Sequence, residues 1–531
     1  MNMKQPIVIV AAMTLGFGFS AEAQSLEQGI KMYQYERYES AKKELEPLAG
    51  TDPVANYYLG LAELGLEHTD QAQAIFAKNP EDAANMAGLA RVAYTKGDAN
   101  EGARLAKAVA DKAGRKAWEP LRYAADAINY TDGGNKQQAI DWYEEAVKRK
   151  DNHELRIALG DAYQQISTGG GKAMNNYEKV TGADPKNSLA WSRTGALWYA
   201  AKNYQLALES YQKAKDADPS NPLPYRDLAN AYFWTGKYNL AKENIEKYLS
   251  LSDKSVDDQI RYAEILYLAK DYQGAVQTAE ELLGKGVTKP GLYGILAYSN
   301  LELKNHEKAL QFARQYLQVQ KPERIFPMDY LNVARIYLGA GASDTVNNYI
   351  DSANQFFTKA INADTASNKS DTYRQIAEGF KDAKDYVRSA EWYNKLVRAY
   401  PETQPLDYFW AGAMHYYSKN YDSAAVAFQA MEAKYPEQPS AVYWQGRIAA
   451  AIDNEAKEGL AVPHYTRWLD SVGVEYDKKN DLMYAFQYLA LYYYNKNDQE
   501  NLKKFMTLIE AIEPENAFLK QLKDLVGAKK S

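Results

Sequence analysis

The most regular feature of the chain is a small apolar residue that recurs every 34 positions. These residues are Ala139, Ala173, Ala207, Ala241, Ala275 and Ala309. A second small residue precedes most of them by 12 positions and a bulky residue follows four positions later, as Gly195 and Tyr211 do around Ala207. Small residues at both points allow two helices to cross closely, and a proline such as Pro219 ends the second helix. The pattern predicts a series of antiparallel helix pairs, one pair for each period.

One stretch, from Trp191 to Pro219, resembles the tetratricopeptide repeat family. The family motif is Trp-x2-Leu-Gly-x2-Tyr, followed by Ala-x3-Phe and then by Ala and Pro. The positions in register with it are Gly195, Trp198, Tyr204, Ala207, Tyr211, Ala214 and Pro219. The resemblance implies an all-α tetratricopeptide-repeat solenoid, a right-handed superhelix of antiparallel helix pairs.

The same register extends outward to about fourteen units. The alanine-type position of each unit falls in turn on Ala41, Ala72, Gly102, Ala139, Ala173, Ala207, Ala241, Ala275, Ala309, Ala353, Ser389, Ala424, Ala461 and Leu502. Residues 515–526 are predicted to form the capping helix that such arrays need at their open end.

Pro322 and Pro327 interrupt residues 318–328, so the chain is predicted to hold an N-terminal array, 24–320, and a C-terminal array, 321–531.

The N-terminus has the pattern of a signal peptide. Lys4 gives a positive start, residues 7–19 are apolar, and Ala21 and Ala23 provide the small-x-small site for cleavage after Ala23. The alternative is a buried N-terminal helix. Because the chain has no Cys, a lipid anchor, disulfides and thiolate sites are excluded, and an exported protein of this kind is expected in a bacterial periplasm.

Composition narrows the possible partners. The chain has 63 Lys and Arg against 69 Asp and Glu, a net charge of −6. Because it lacks the basic excess that neutralises phosphates, no nucleic-acid partner is expected. No stretch reaches the roughly 18 apolar residues of a membrane helix, so the protein is not expected to span a membrane.

Residues that could bind a metal or take part in catalysis are scattered along the sequence. No two of the five His lie at the spacing that places two metal ligands on one helix face, so no metal site and no cofactor are predicted. Residues 167–172 read Ser-Thr-Gly-Gly-Gly-Lys, but a phosphate loop needs Gly at Ile166 and Ser or Thr at Ala173. We interpret this stretch as a turn between two helices, and we predict that the protein is not an enzyme.

Five tripeptides after residue 340 resemble the Asp-Ser/Thr-small acceptor of a periplasmic O-glycosylation system. They begin at Asp344, Asp351, Asp364, Asp422 and Asp470. Helix capping explains Asp351 and Asp422 equally well, so both interpretations stay open.

The resemblance also implies a binding groove, because the first helix of each unit lines the inner wall in this family. The residues at the groove positions are Tyr199, Arg226, Asn230, Phe233, Trp234, Tyr267, Tyr298, Phe409, Tyr416 and Tyr417. Aromatic rings among a few charges suit an extended peptide or a partner helix, whereas the alternative is that about half of them pack between repeats. Only Arg226 and Asn230 approximate the family's carboxylate clamp, so recognition of a C-terminal carboxylate is not expected.

These features predict an exported scaffold or adaptor that mediates protein–protein interactions in envelope assembly or secretion. Its partners would be other envelope proteins or peptides, and its oligomeric state is open. The alternative is a binding module for glycan or peptidoglycan fragments, since Tyr and Trp rings stack on sugar faces.

Overall fold

The computed structural model describes residues 25–341 and 349–530. The predicted signal peptide, residues 1–23, and the tripeptide at Asp344 lie outside the described residues. Throughout the described ranges the chain is helical and contains no strand. The all-α prediction is confirmed.

The helices are numbered here in chain order. They are α1 (Leu26–Gln34), α2 (Tyr38–Leu45), α3 (Pro53–Gly65), α4 (Thr69–Phe76), α5 (Ala83–Thr95), α6 (Ala99–Asp111), α7 (Glu119–Asn129), α8 (Lys136–Arg149), α9 (His153–Gln164), α10 (Gly170–Ala183), α11 (Ser188–Ala200), α12 (Tyr204–Ala217), α13 (Leu223–Trp234), α14 (Tyr238–Leu251), α15 (Val256–Leu268), α16 (Tyr272–Gly284), α17 (Pro290–Glu302), α18 (His306–Val319), α19 (Pro327–Gly341), α20 (Tyr349–Ala363), α21 (Ser370–Asp382), α22 (Tyr386–Ala399), α23 (Pro405–Tyr417), α24 (Tyr421–Lys434), α25 (Pro439–Ile452), α26 (Val462–Val472), α27 (Lys479–Asn495), α28 (Gln499–Ile512) and α29 (Ala517–Lys530). A short 3₁₀ turn, Pro322–Arg324, separates α18 from α19. In the described ranges the helices follow the order of the fourteen units that the repeat register predicts, and α29 comes after them.

Local sequence explains where the helices of a pair begin and end. The side chains of Asn152 and Asn187 accept a hydrogen bond from the first turn of α9 and α11, which satisfies a backbone amide that has no partner inside the helix. Several first helices end just before a residue with left-handed backbone, for example Lys202 at φ 60° and Gly236 at φ 73°. The chain reverses there, and the second helix of the pair starts within two residues.

Each pair is held at the crossing that the 34-residue period predicts. Ala207 is fully buried in α12, and Gly195 of α11 faces the Tyr211 ring so closely that a Cβ atom would lie 2.5 Å from Tyr211 Cδ1. The same contact joins Gly412 to Phe428 in α23 and α24, at 2.6 Å. The predicted role of these small residues, to let an aromatic side chain fill the crossing, is confirmed.

The described residues divide into two compact units, one ending at Thr278 and the other beginning at Ala279. The division falls within α16, ahead of residues 318–328. The array boundary that the sequence places at residue 320 stays a prediction.

The thirteenth pair departs from the pattern because of one buried carboxylate. Asp453 follows α25, and its oxygens accept from the backbone amides of Lys457 and Gly459 at 2.9 and 2.8 Å and from the Tyr488 hydroxyl at 2.6 Å. Burial alone would raise the pKa of Asp453, but these donors outweigh it and lower the pKa to about 2. The ionised carboxylate therefore holds residues 453–461 in place of a short turn.

We predict that Gly195→Ala destabilises the protein by about 1 to 3 kcal/mol, because the added methyl group overlaps the Tyr211 ring. The midpoint of thermal unfolding, followed by circular dichroism, measures this. The matched control is Gly182→Ala in α10, where a Cβ would meet open space. The control should stabilise by about 0.5 to 1 kcal/mol, since alanine restricts the unfolded chain. Equal effects at the two sites would contradict the role given to the crossing.

Candidate functional site

Two of the predicted groove residues form a cluster in the N-terminal unit, which we call the N-terminal aromatic patch and define as Phe233, Trp234 and Arg261. The rings of Phe233 and Trp234 meet edge to face with centres 5.3 Å apart. The guanidinium carbon of Arg261, on α15, lies 3.7 Å from the centre of the Phe233 ring. Trp234 is 67% exposed, so the patch presents a ring to solvent beside a cation.

A larger cluster lies in the C-terminal unit. We call it the C-terminal aromatic surface and define it as Tyr416, Tyr417, Trp444, Arg447 and Tyr484. The rings of Tyr416 and Trp444 meet edge to face at 5.1 Å, and the Arg447 guanidinium lies 4.1 Å from the Tyr484 ring centre. Tyr417 and Tyr484 are 49% and 52% exposed. Among the described residues no carboxylate lies within 4 Å of Arg447, whose hydrogen bonds go to tyrosine hydroxyls such as that of Tyr416, at 3.3 Å.

The structure gives other groove residues a packing role. Tyr298 is buried, and its hydroxyl donates to Asp329 at 2.7 Å. Phe409 packs against Trp444 with ring centres 5.6 Å apart. The remaining aromatic and amide groove residues lie half-buried on their helices: Tyr199, Asn230 and Tyr267.

The first helices of six consecutive pairs surround a cavity of about 270 Å³ in the N-terminal unit. We call it the N-terminal chamber. Its polar lining is Tyr33, Glu36, Tyr58, Arg91, Arg122, Asp126, Tyr130, Glu154, Asp161 and Arg193. These residues come from α1, α3, α5, α7, α9 and α11 and the turns next to them, and so one side of the array concentrates charge and phenol groups.

Ion pairs fix most of the chamber's charges. Arg122 contacts Asp126 at 3.2 Å and Glu154 at 2.7 Å, and Arg193 contacts Asp161 at 3.0 Å. Burial raises the pKa of Asp126, against the opposing effect of Arg122. The chamber is therefore a low-dielectric site in which each further charge needs a partner.

The chain closes one wall of the chamber by contacts between its first pair and its sixth and seventh pairs. Glu36 forms an ion pair with Arg226, and Tyr35 donates to Asp218. Ser40 donates to Asp253 through its hydroxyl at 2.5 Å and through its backbone amide at 3.1 Å. Arg226, predicted as a groove residue, thus acts in this closure, which we call the first-turn closure.

Sequence reasoning missed the chamber, although one signal for it exists. Charged residues recur in the first helices at nearly the repeat spacing, at positions where neighbouring side chains are buried: Asp126, Asp161, Arg193 and Asp227. A buried charge at a repeating helix position is costly unless paired, so such a series points to an internal polar site.

In the described ranges, no group of three or more His, Asp or Glu side chains could hold a metal ion. No described helix is long and apolar enough to cross a membrane. Residues 167–169 lie in a turn between α9 and α10, but Gly170, Gly171 and Lys172 form the first turn of α10, so the interpretation of residues 167–172 as a turn is wrong for these three.

Comparison with known families agrees with the helix pairs and their register. The sequence profile of the tetratricopeptide repeat matches residues 171–222, which hold α10, α11 and α12. Over these residues the chain carries tetratricopeptide-repeat sequence. Such repeats are scaffolds for protein–protein interaction and are generally non-catalytic, which indicates the general function of the chain.

Similar solved structures include other tetratricopeptide-repeat proteins. The C-terminal part of one from Cytophaga hutchinsonii is 25% identical, covering 50% of this chain and 98% of its own, with a TM-score of 0.41. One from Parabacteroides merdae is 17% identical, covering 50% and 98%, with a TM-score of 0.33. The pilF protein of Pseudomonas aeruginosa is 20% identical, covering 38% and 94%, with a TM-score of 0.32. No curated protein sequence matches the chain significantly.

The first-turn closure leads to a pH prediction at Asp227, whose carboxyl lies 3.8 Å from Arg226. Burial raises the pKa of Asp227 to about 6, although Arg226 and Arg193 oppose it and Glu36 adds to it. Since the pKa in the unfolded chain is lower, at about 4, ionisation of Asp227 costs stability above about pH 6 and costs none below about pH 4. Asp227→Asn should therefore stabilise the protein by up to about 3 kcal/mol at neutral pH, and the gain should vanish towards pH 4.

Thermal unfolding of wild type and variant across this pH range measures the effect. Asp271→Asn is the contrasting control, because hydrogen bonds from Lys242 and the Gly274 amide lower the pKa of Asp271. That substitution should destabilise at neutral pH. A constant difference between Asp227→Asn and wild type at all pH values would contradict the assignment.

Proposed function

We propose that this protein is an exported periplasmic scaffold that holds other envelope proteins together during envelope assembly or secretion, and that the C-terminal aromatic surface is its docking site. The observation that carries the proposal is the Arg447 guanidinium, which lies against the exposed ring of Tyr484 and has no carboxylate within 4 Å among the described residues. The pattern of residues 1–23 supports export.

The chemistry of the surface favours one kind of occupant. Tyr417 and Tyr484 offer exposed rings that lose little conformational entropy on binding, and aromatic residues and arginine carry most of the energy in protein interfaces. Arg447 can form two parallel hydrogen bonds with a carboxylate. The expected partner is therefore an extended protein segment that has an acidic residue next to apolar ones.

The rigidity of the surface also supports binding. Trp444 stacks on the buried ring of Phe428 with an interplanar angle of 15°, and Phe428 fills the crossing of α23 and α24. Because the rings stand on a packed core, binding does not have to order them first, which favours affinity.

The test is in-cell crosslinking followed by affinity purification of the tagged chain, comparing wild type with the triple variant Tyr417→Ala, Arg447→Gln, Tyr484→Ala. We expect a specific envelope protein to crosslink to wild type and to be recovered at least tenfold less with the variant, the loss typical of two or more central interface residues. Fractionation of the same cells locates the protein, and recovery from the cytoplasm alone would contradict export.

The matched control is Val387→Ala with Val426→Ala, which removes apolar groups that are 58% and 66% exposed elsewhere in the same unit. This variant should recover the partner as wild type does. A second variant, Phe233→Ala with Trp234→Ala, tests the N-terminal aromatic patch. Loss of the partner there, with full recovery by the triple variant, would place docking on the N-terminal patch and overturn the proposed site.

A further inference from the structure

The N-terminal chamber has the dimensions of a site for a small molecule. Its volume is about 270 Å³, near the lower end for ligand pockets. An α-helix with its side chains is about 10 Å across and cannot enter such a space. The lining of the chamber also includes apolar side chains such as Leu61 and Leu189 and several tyrosine rings.

The lining of the chamber holds four carboxylates and three guanidiniums, and a fourth guanidinium, that of Arg226, pairs with Glu36 from outside the lining. Arg122 is shared by two carboxylates, Asp126 and Glu154, so negative charge is in excess there. The direct contacts of Arg91 are different. Within the described part of the chain no carboxylate lies within 4 Å of it, its guanidinium contacts the Tyr33 hydroxyl and lies 5.6 Å from the Tyr130 ring centre, and the charge of Asp126 acts on it from a longer distance.

Arg91 therefore keeps its capacity for a direct counter-ion. A guanidinium is always charged in proteins, and the phenol groups that contact Arg91 do not neutralise it. A carboxylate on the ligand would pair with Arg91 through its two parallel donors, and an ammonium group would pair with the carboxylates that share Arg122. A ligand with a single sign of charge would satisfy one end and repel the other.

We propose that the N-terminal chamber binds a short zwitterionic peptide, of dipeptide size, with its carboxylate at Arg91 and its ammonium group at Glu154 and Asp126. Glu154 is the more accessible of the two carboxylates, with 45% of its side chain exposed against 9% for Asp126, so it is free to turn towards the ligand. Tyrosine rings beside the ammonium position add attraction for a cation. Glu36 and Tyr38 complete one wall, so the site depends on the first-turn closure.

Isothermal titration calorimetry with three probes tests each charge separately. The probes are L-Ala-L-Ala, its C-terminal amide, which lacks the carboxylate, and its N-acetyl derivative, which lacks the ammonium group. We expect the mature chain to bind the free dipeptide at least tenfold more tightly than either blocked form. Equal binding of the three probes, or binding of none of them, overturns the proposal.

Two variants assign the ends of the ligand. Arg91→Gln should remove the preference for the free dipeptide over the amide, and Glu154→Gln should weaken the preference over the N-acetyl form by a similar factor. Glu154 is half exposed, so its variant tests the proposal even where Arg91→Gln fails to fold. Unchanged preferences in the folded variants would overturn the assignment.

Two controls separate this site from others. Arg115→Gln removes an exposed arginine outside the chamber and should bind all three probes as wild type does. The triple variant of the C-terminal aromatic surface should also bind the dipeptide normally. Loss of dipeptide binding in that variant would move the site out of the chamber and overturn the proposal, whatever becomes of protein docking.

Discussion

The close crossing of two helices at a pair of small residues is the contact on which the rest of the structure depends. In the pair of α11 and α12, Ala207 is fully buried and Gly195 lies against the Tyr211 ring, which fills the crossing. A single pair cannot bury its own apolar faces, so each pair is stable only against its neighbours. Within each unit the crossing sets the angle at which neighbouring pairs stack. Each candidate site is built on first helices of its own unit.

The sequence predicts the fold well because the crossing is a local requirement. Two small residues and one bulky residue within 16 positions carry it, and the pattern is visible wherever the spacing is kept, as at Gly412, Ala424 and Phe428. The thirteenth pair shows the limit. Its loop is held by Asp453, whose partner Tyr488 lies 35 residues further on, and no repeat pattern connects these two. The irregularity could be seen in the sequence, but the carboxylate that causes it could not.

The candidate sites were predictable only in part, because they too depend on contacts between residues that are far apart in the sequence. Aromatic positions such as Trp234 and Tyr417 follow from the register of the repeat, and both are exposed. The register cannot tell them from Tyr298, which occupies a similar position and is buried, because burial depends on which side chain the next pair supplies. The chamber was the hardest feature to predict. The contact that closes it joins Glu36 to Arg226, and these residues are 190 positions apart in the sequence.

The helix crossings and the first-turn closure differ in how much they contribute to stability. This difference bears on how the chamber binds a ligand. The helix crossings are fully buried, whereas the first-turn closure is made by side chains that keep 21% to 42% of their surface exposed, such as Lys31, Asp253 and Glu36. Exposed ion pairs contribute only about 0 to 1 kcal/mol each, and salt weakens them further. The first-turn closure therefore contributes less to stability than the helix crossings do. A molecule that fills the chamber would contact the wall that this closure holds in place, so binding and closure would stabilise each other.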